Sequence, residues 1–131
     1  MISHFMFMLA YNEEVDFSRL SVLEIAVHAV LYAAVVCAIF HGLKPYLKKL
    51  LFYPMFGYLL INGAMNCFAI FRCISNPTFI NAVAAVGALL FFVSDCVLFF
   101  VRFNKDCRIK THFLVMITYS LGELLIAYSL I

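Results

Sequence analysis

The stretch Gly87-Ala88-Leu89-Leu90-Phe91-Phe92-Val93-Ser94-Asp95-Cys96-Val97-Leu98-Phe99-Phe100 carries one charge in an otherwise apolar run. No other charged residue occurs between Arg72 and Arg102. At about 1.5 Å of helix rise per residue, that interval crosses the roughly 30 Å hydrocarbon core of a bilayer. An ionised carboxylate at such a depth costs about 2.5–3.5 kcal/mol on insertion scales. Asp95 therefore requires a partner, a water-filled cavity or a retained proton. The reading that follows is a membrane-embedded helical bundle with Asp95 turned away from lipid.

The wider composition agrees. Of 131 residues, 66% are hydrophobic and 12% charged, and mean hydropathy is +1.05. A soluble domain is roughly 45–50% apolar and about 25% charged, so the excess is too large for a soluble core. Fifteen Phe and seven Tyr without Trp suit lipid-facing helices with Tyr near the interfaces. Net charge is only +2, and no basic cluster is interleaved with aromatics, so nucleic acid is excluded as a partner. The five cysteines (37, 67, 73, 96 and 107) form no C-x-x-C pair and no Cys/His ligand spacing. Neither a disulfide framework nor a zinc site is expected, and nothing calls for a cofactor. The N-terminus lacks a basic n-region and a small-residue cleavage site, so no signal peptide is expected.

Four apolar stretches are long enough to span, at roughly 20–41, 50–71, 78–101 and 111–131. A fifth, Ile2 to Tyr11, is half that length and gives way to Asn12-Glu13-Glu14-Val15-Asp16. The expected fold is all-α: a polytopic transmembrane bundle of four full spans plus a partial N-terminal helix, forming one domain over residues 1–131. The polar loops at 42–49 and 102–110 carry Lys44, Lys48, Lys49, Arg102, Lys105, Arg108 and Lys110, whereas the alternate connections hold only Arg19 and Arg72. This asymmetry places 42–49 and 102–110 in the cytoplasm and the C-terminus on the opposite side. With no transit peptide, a bacterial-type plasma membrane is the simplest expectation.

Polar residues at membrane depth fall into stripes at helical spacing. Tyr119 and Glu123 form one, Tyr58, Asn62 and Asn66 a second, and Glu24 and His28 a third. Asn62 and Asn66 suit interhelical hydrogen bonding, and Glu24 suits a solvated interface. Asp95 and Glu123 resist such readings, because no Lys or Arg neighbours them in the sequence. A carboxylic acid kept neutral in an apolar pocket suits general acid catalysis or proton carriage through a transporter. The small residues Ala84, Ala85, Gly87, Ala88 and Gly122 would let helices 78–101 and 111–131 approach closely. An Asp95/Tyr119/Glu123 cluster between those helices is the structural expectation.

Two motifs resemble a known family. Gly87-Ala88-x-Leu90-Phe91-x-x-Ser94-Asp95 and Tyr119-x-x-Gly122-Glu123-x-Leu125-Ile126-Ala127, joined by the basic loop, resemble the end of the YhhN family. Ser3-His4-Phe5-x-x-x-x-Ala10-Tyr11 is similar to the histidine-bearing fourth helix of that family. The resemblance implies a lysoplasmalogenase-like enzyme, since animal members hydrolyse the vinyl ether bond of lysoplasmalogens to a fatty aldehyde and a glycerophospho head group. It implies catalytic roles for Asp95, Glu123, Tyr119 and His4; Ser94 beside Asp95, and the buried stripe residues Asn62 and Asn66, are the candidate substrate contacts. The partners so implied are membrane lipids and a lysophospholipid substrate. Family members run to about eight helices, and their first acidic motif, a Gly-Asp on the third helix, has no counterpart here. The chain thus reads as the C-terminal portion of that fold: a fragment of a longer frame, a decayed copy, or a partner for a separately encoded N-terminal half or a second copy. Two readings from other classes stand beside the enzyme: a small proton-coupled transport protein built around Asp95 and Glu123, and a non-catalytic helical subunit.

Overall fold

A computed structural model describes residues 2–47, 49–103 and 112–130. The described elements are α1 (Ile2–Glu14), α2 (Val22–Leu43), α3 (Lys49–Ser75), α4 (Phe79–Phe103) and α5 (His112–Tyr128), with short 3₁₀ turns at Phe17–Arg19 and Lys44–Tyr46. Among the described residues there is no strand. Lys48, Lys105, Arg108, Lys110 and Cys107 lie outside them, as does Ile131.

The helix boundaries follow local chemistry. Ser21 opens α2 with a reciprocal capping box: its hydroxyl accepts from Glu24 N at 3.1 Å, and Glu24 Oε2 accepts from Ser21 N at 2.8 Å. Glu24 is thereby engaged as a cap at the helix end. His28 Nδ1 lies 2.8 Å from the Glu24 carbonyl oxygen, so the third stripe is a local feature of α2. Asp16 caps the preceding turn, and the hydroxyl and N–H of Ser18, with the Arg19 guanidinium, hold its exposed carboxyl below the usual range. Pro77 stops α3 just beyond Ser75. Thr78 then caps α4 by accepting from Asn81 N at 3.2 Å.

Among the described residues, three helices are long and apolar enough to cross a membrane: Val22–Tyr46, Leu50–Ser75 and Phe79–Phe103, with mean hydropathies of 2.3, 1.3 and 2.4. The described part of α5 has 17 residues, at the short end of the spanning range of about 17–25. Helix α1, with 13 residues, reaches only about 20 Å. The chain is a multi-pass membrane protein.

Helix α3 is central, packing against α1, α2 and α4, and α5 packs on α4. The expected close approach of α4 and α5 is present. A Cβ at Gly87 would stand 2.8 Å from Leu125 Cβ, and one at Gly122 would stand 3.0 Å from the Gly87 carbonyl and 2.9 Å from Phe91 N. The two glycines face one another with backbones in direct contact. This crossing sets the depth of α5 against α4.

The ends of the bundle sort as the loop alternation requires. A Cβ on Gly42 would meet the Phe100 ring at 3.3 Å, so the ends of α2 and α4 adjoin. At the other end, Asp16 N donates to Ser75 Oγ at 3.4 Å and Arg19 Nη1 to the Ser75 carbonyl at 3.2 Å.

Arg72 departs from expectation. It is not a loop residue but lies in the last turn of α3, 3% exposed. Its Nη2 pairs with Glu14 Oε2 at 2.6 Å and donates to the Ser129 carbonyl at 3.2 Å, while the guanidinium lies 5.4 Å from the centre of the Tyr11 ring. The arginine ties the C-terminal ends of α1, α3 and α5 together. Sequence position alone hid this, because Arg72 directly follows the apolar run 50–71 and its partners Glu14 and Ser129 lie far away along the chain.

Gly122→Val is expected to lower stability by about 1–3 kcal/mol or more, since the added carbons have no room at the crossing. Gly57→Ala meets nothing within 4 Å and is expected to be neutral or to gain about 0.5–1 kcal/mol. Unfolding of the detergent-solubilised protein measures both, and equal effects at the two positions would refute the close crossing.

Candidate functional site

The site is assembled around the carboxylate of Asp95, 3% exposed on α4. Both residues that hydrogen-bond it come from α3. Tyr58 Oη donates to Asp95 Oδ2 at 2.5 Å, and Asn62 Nδ2 donates to the same oxygen at 2.8 Å. The i, i+4 spacing of Tyr58 and Asn62 puts both donors on one face of α3. Each then extends to a further helix.

On one side, His4 Nε2 of α1 lies 3.3 Å from the Tyr58 hydroxyl. Tyr58 gives its proton to Asp95, so His4 must supply the hydrogen in that contact, which assigns the tautomer protonated on Nε2. The His4 ring also meets the edges of Tyr58 and Phe91, with centroids 5.1 and 5.0 Å away. On the other side, Asn66 Nδ2 donates to the Asn62 carbonyl at 3.1 Å and approaches Asn62 Oδ1 at 3.4 Å. Tyr32 Oη of α2 donates to Asn66 Oδ1 at 3.3 Å.

Every donor in these two chains points toward Asp95. The order Tyr32, Asn66, Asn62 converges on Oδ2 from one direction, and His4, Tyr58 from the other. Oδ2 is thus an acceptor twice over, and a proton carried by this acid would sit on Oδ1. Side chains from α1, α2, α3 and α4 meet in one polar thread through an apolar core. Such a thread stiffens the bundle when each member is satisfied.

The other expected site residues take different places. Tyr119 donates to Glu123 Oε1 at 2.8 Å on α5, and that pair is joined to Asp95 by no hydrogen bond or ion pair among the described residues. Tyr119 also packs toward the site: its ring lies 4.7 Å from that of Phe91, which also touches His4. Asp95 thus hydrogen-bonds toward α3, while Tyr119 and Glu123 stand within electrostatic reach of it from α5. Ser94 gives its proton to the Val115 carbonyl at 2.9 Å, tying α4 to α5. Asn62 and Asn66 sit in the thread, fully buried. Among the described residues, no three His, Cys, Asp or Glu side chains stand close enough to share a metal ion.

Two members of the thread escape a reading of the sequence. Tyr58 is visible as part of a stripe with Asn62 and Asn66, but nothing in the spacing marks it as the link between His4 and Asp95. Tyr32 continues the i, i+4 spacing of Glu24 and His28, but its partner Asn66 is set by how α2 packs on α3.

Asn62→Leu is expected to destabilise the protein by about 1.5–3 kcal/mol, because a buried acid loses one of its donors. In a double-mutant cycle with Asp95→Leu, the combined loss should fall short of the sum by about 0.5–3 kcal/mol. Additive losses in detergent unfolding would show that the two side chains do not interact.

Comparison with known proteins gives one match. No curated protein and no solved structure matches the chain significantly. The profile of one family matches residues 1–130, almost the whole length. This chain belongs to the YhhN family.

Proposed function

We propose that this protein supplies the acid–base centre for hydrolysis of the vinyl ether bond of a lysoplasmalogen. The observation that carries the reading is a buried carboxyl, Asp95, held through one oxygen by Tyr58 and Asn62 and backed by His4. Family membership supports the substrate class, and the bilayer setting supports a single-chain lipid.

The reaction needs one group that gives and regains a proton. The Oδ1 atom of neutral Asp95 protonates the vinyl carbon distal to the ether oxygen. The carbon–carbon double bond becomes single, and the carbon beside the oxygen becomes an oxocarbenium. Water adds to that carbon while Asp95, now a carboxylate, takes the released proton. The resulting hemiacetal collapses, its hydroxyl hydrogen passing to the departing glycerol oxygen as the carbon–oxygen bond breaks. A fatty aldehyde and the glycerophospho head group leave, and the acid is restored.

Tyr58 and Asn62 act as positioning residues in this scheme. They fix Oδ2 so that Oδ1 is the proton-bearing atom, and they stabilise the carboxylate formed after transfer. His4 orients the Tyr58 hydroxyl. The end of the bundle bearing Lys44 and Arg102 is placed in the cytoplasm on the positive-inside argument.

Asp95→Asn is expected to lower aldehyde release from lysoplasmenyl-ethanolamine by about 10²–10⁴-fold, the usual contribution of a general acid–base group. Tyr58→Phe is expected to lower kcat by roughly tenfold or more, the scale of one lost hydrogen bond to a charged group. Absence of aldehyde from folded wild-type protein in vesicles would overturn the reading, as would full activity in Asp95→Asn.

A further inference from the structure

Tyr119 and Glu123 stand beside the site, yet the chemistry of Asp95 alone gives them no task. Their i, i+4 spacing puts both on one face of α5, where the Tyr119 hydroxyl donates to Glu123 Oε1 at 2.8 Å. The helix crossing holds that face against the site. A Cβ on Gly122, next to Glu123, would stand 2.9 Å from Phe91 N, and Phe91 lies one turn before Asp95 on α4. The rings of Tyr119 and His4 both rest on Phe91, with centroids 4.7 and 5.0 Å away. Glu123 acts electrostatically on Asp95, Tyr58 and His4, so α4, α3 and α1 each place a site residue within its reach.

The two acids are pinned in the same way. Tyr58 and Asn62 occupy Asp95 Oδ2, and Tyr119 occupies Glu123 Oε1, which leaves Oδ1 on one and Oε2 on the other. Among the described residues the two carboxyl groups do not hydrogen-bond each other. Where two carboxyl groups flank a bond that breaks through an oxocarbenium, one gives the proton and the other faces the cation or the attacking water. A spacing wider than direct contact leaves room for that water. Access is divided too, since Asp95 is buried and Glu123 exposed. A cleft of about 500 Å³ between α4 and α5 borders on both groups: Leu98 in its wall lies three residues beyond Asp95, and Tyr119 carries the bond to Glu123.

Building on the vinyl ether chemistry proposed for Asp95, we propose that Glu123 is a second catalytic residue, whose carboxylate faces the oxocarbenium and holds the attacking water through Oε2. Asp95 Oδ1 delivers its proton to the distal vinyl carbon while Glu123 stays ionised opposite the developing cation. The water oxygen then bonds the cationic carbon. One of its hydrogens is held by Oε2, and the other passes to Asp95. Asp95 ends protonated and Glu123 ends as it began, so charge and protons balance. Tyr119 is a positioning residue that fixes the Glu123 carboxylate. A purely structural Tyr119–Glu123 pair would brace α5 and meet no reacting atom.

The test uses the full chain in phosphatidylcholine vesicles with lysoplasmenyl-ethanolamine. Glu123→Gln, which keeps an acceptor for Tyr119, should lower kcat by about 10²-fold or more. KM should change little, the pattern of an interaction made only in the transition state. Tyr119→Phe should lower kcat by roughly tenfold, the scale of one hydrogen bond to a charged group, and it serves as the test if Glu123→Gln fails to fold in thermal unfolding. Binding of two inert single-chain lipids separates catalysis from bracing. One carries an ammonium group where the cation forms, and the other is a saturated ether. Wild type should bind the ammonium lipid roughly tenfold tighter than Glu123→Gln does, and both proteins should bind the saturated ether alike. Wild-type kcat in folded Glu123→Gln, or an equal affinity of both proteins for the ammonium lipid, would overturn the proposal while leaving the role of Asp95 standing. Absence of aldehyde from wild-type protein would overturn both.

Discussion

A buried carboxyl group with its donors already in place is the constraint around which this bundle is organised. In an interior of low dielectric, an acid left without partners is far more costly than the same acid in water, and each well-placed donor is correspondingly worth more. Asp95 meets that demand through Tyr58 and Asn62, both from α3. Those two donors in turn fix where α1 and α2 must sit, because His4 and Tyr32 complete the thread from outside. The central position of α3 follows from this. It is the helix whose polar stripe faces the acid, and the other helices gather where that stripe needs support.

The second structural device is the glycine crossing of α4 and α5. Apolar side chains gain little from contact with one another in lipid, so helices associate through close packing and a few polar bonds. Gly87 and Gly122 permit backbone contact, and Ser94 adds a hydrogen bond to Val115 nearer the α5 start. Together these leave one side of α4 for α5 and the other for α3. Asp95 lies on the α3 side, which is why its carboxylate finds Tyr58 and Asn62 instead of Tyr119 and Glu123. The face of α5 bearing Glu123 is turned outward by the same geometry.

Much of this could be read before any coordinates were considered. The apolar runs define the helices to within a few residues, and the stripes at i, i+4 spacing identify Tyr58, Asn62, Asn66, Tyr119 and Glu123 as polar groups at depth. Small residues at 84–88 and 122 mark where α4 and α5 meet. Less legible were the pairings across helices. The contact between Asp95 and α3 depends on the rotation of α4 about its own axis, to which sequence spacing is blind. Arg72 shows the same limit, since a basic residue after an apolar run looks like the start of a loop until Glu14, Tyr11 and Ser129 are found around it.

The sequence by itself determined the solvent of this protein, its helical class and the residues too costly to leave unpartnered, because hydropathy and periodicity are properties of single segments. Tertiary structure alone decided which polar groups answer which. It joined Asp95 to Tyr58, Asn62 and His4, placed Tyr32 behind Asn66, and left Glu123 facing outward. The physical reason is that a hydrogen bond between helices requires a specific rotation and depth for each of them. Those are set by how the backbones pack at Gly87 and Gly122 and around α3, not by any segment considered alone.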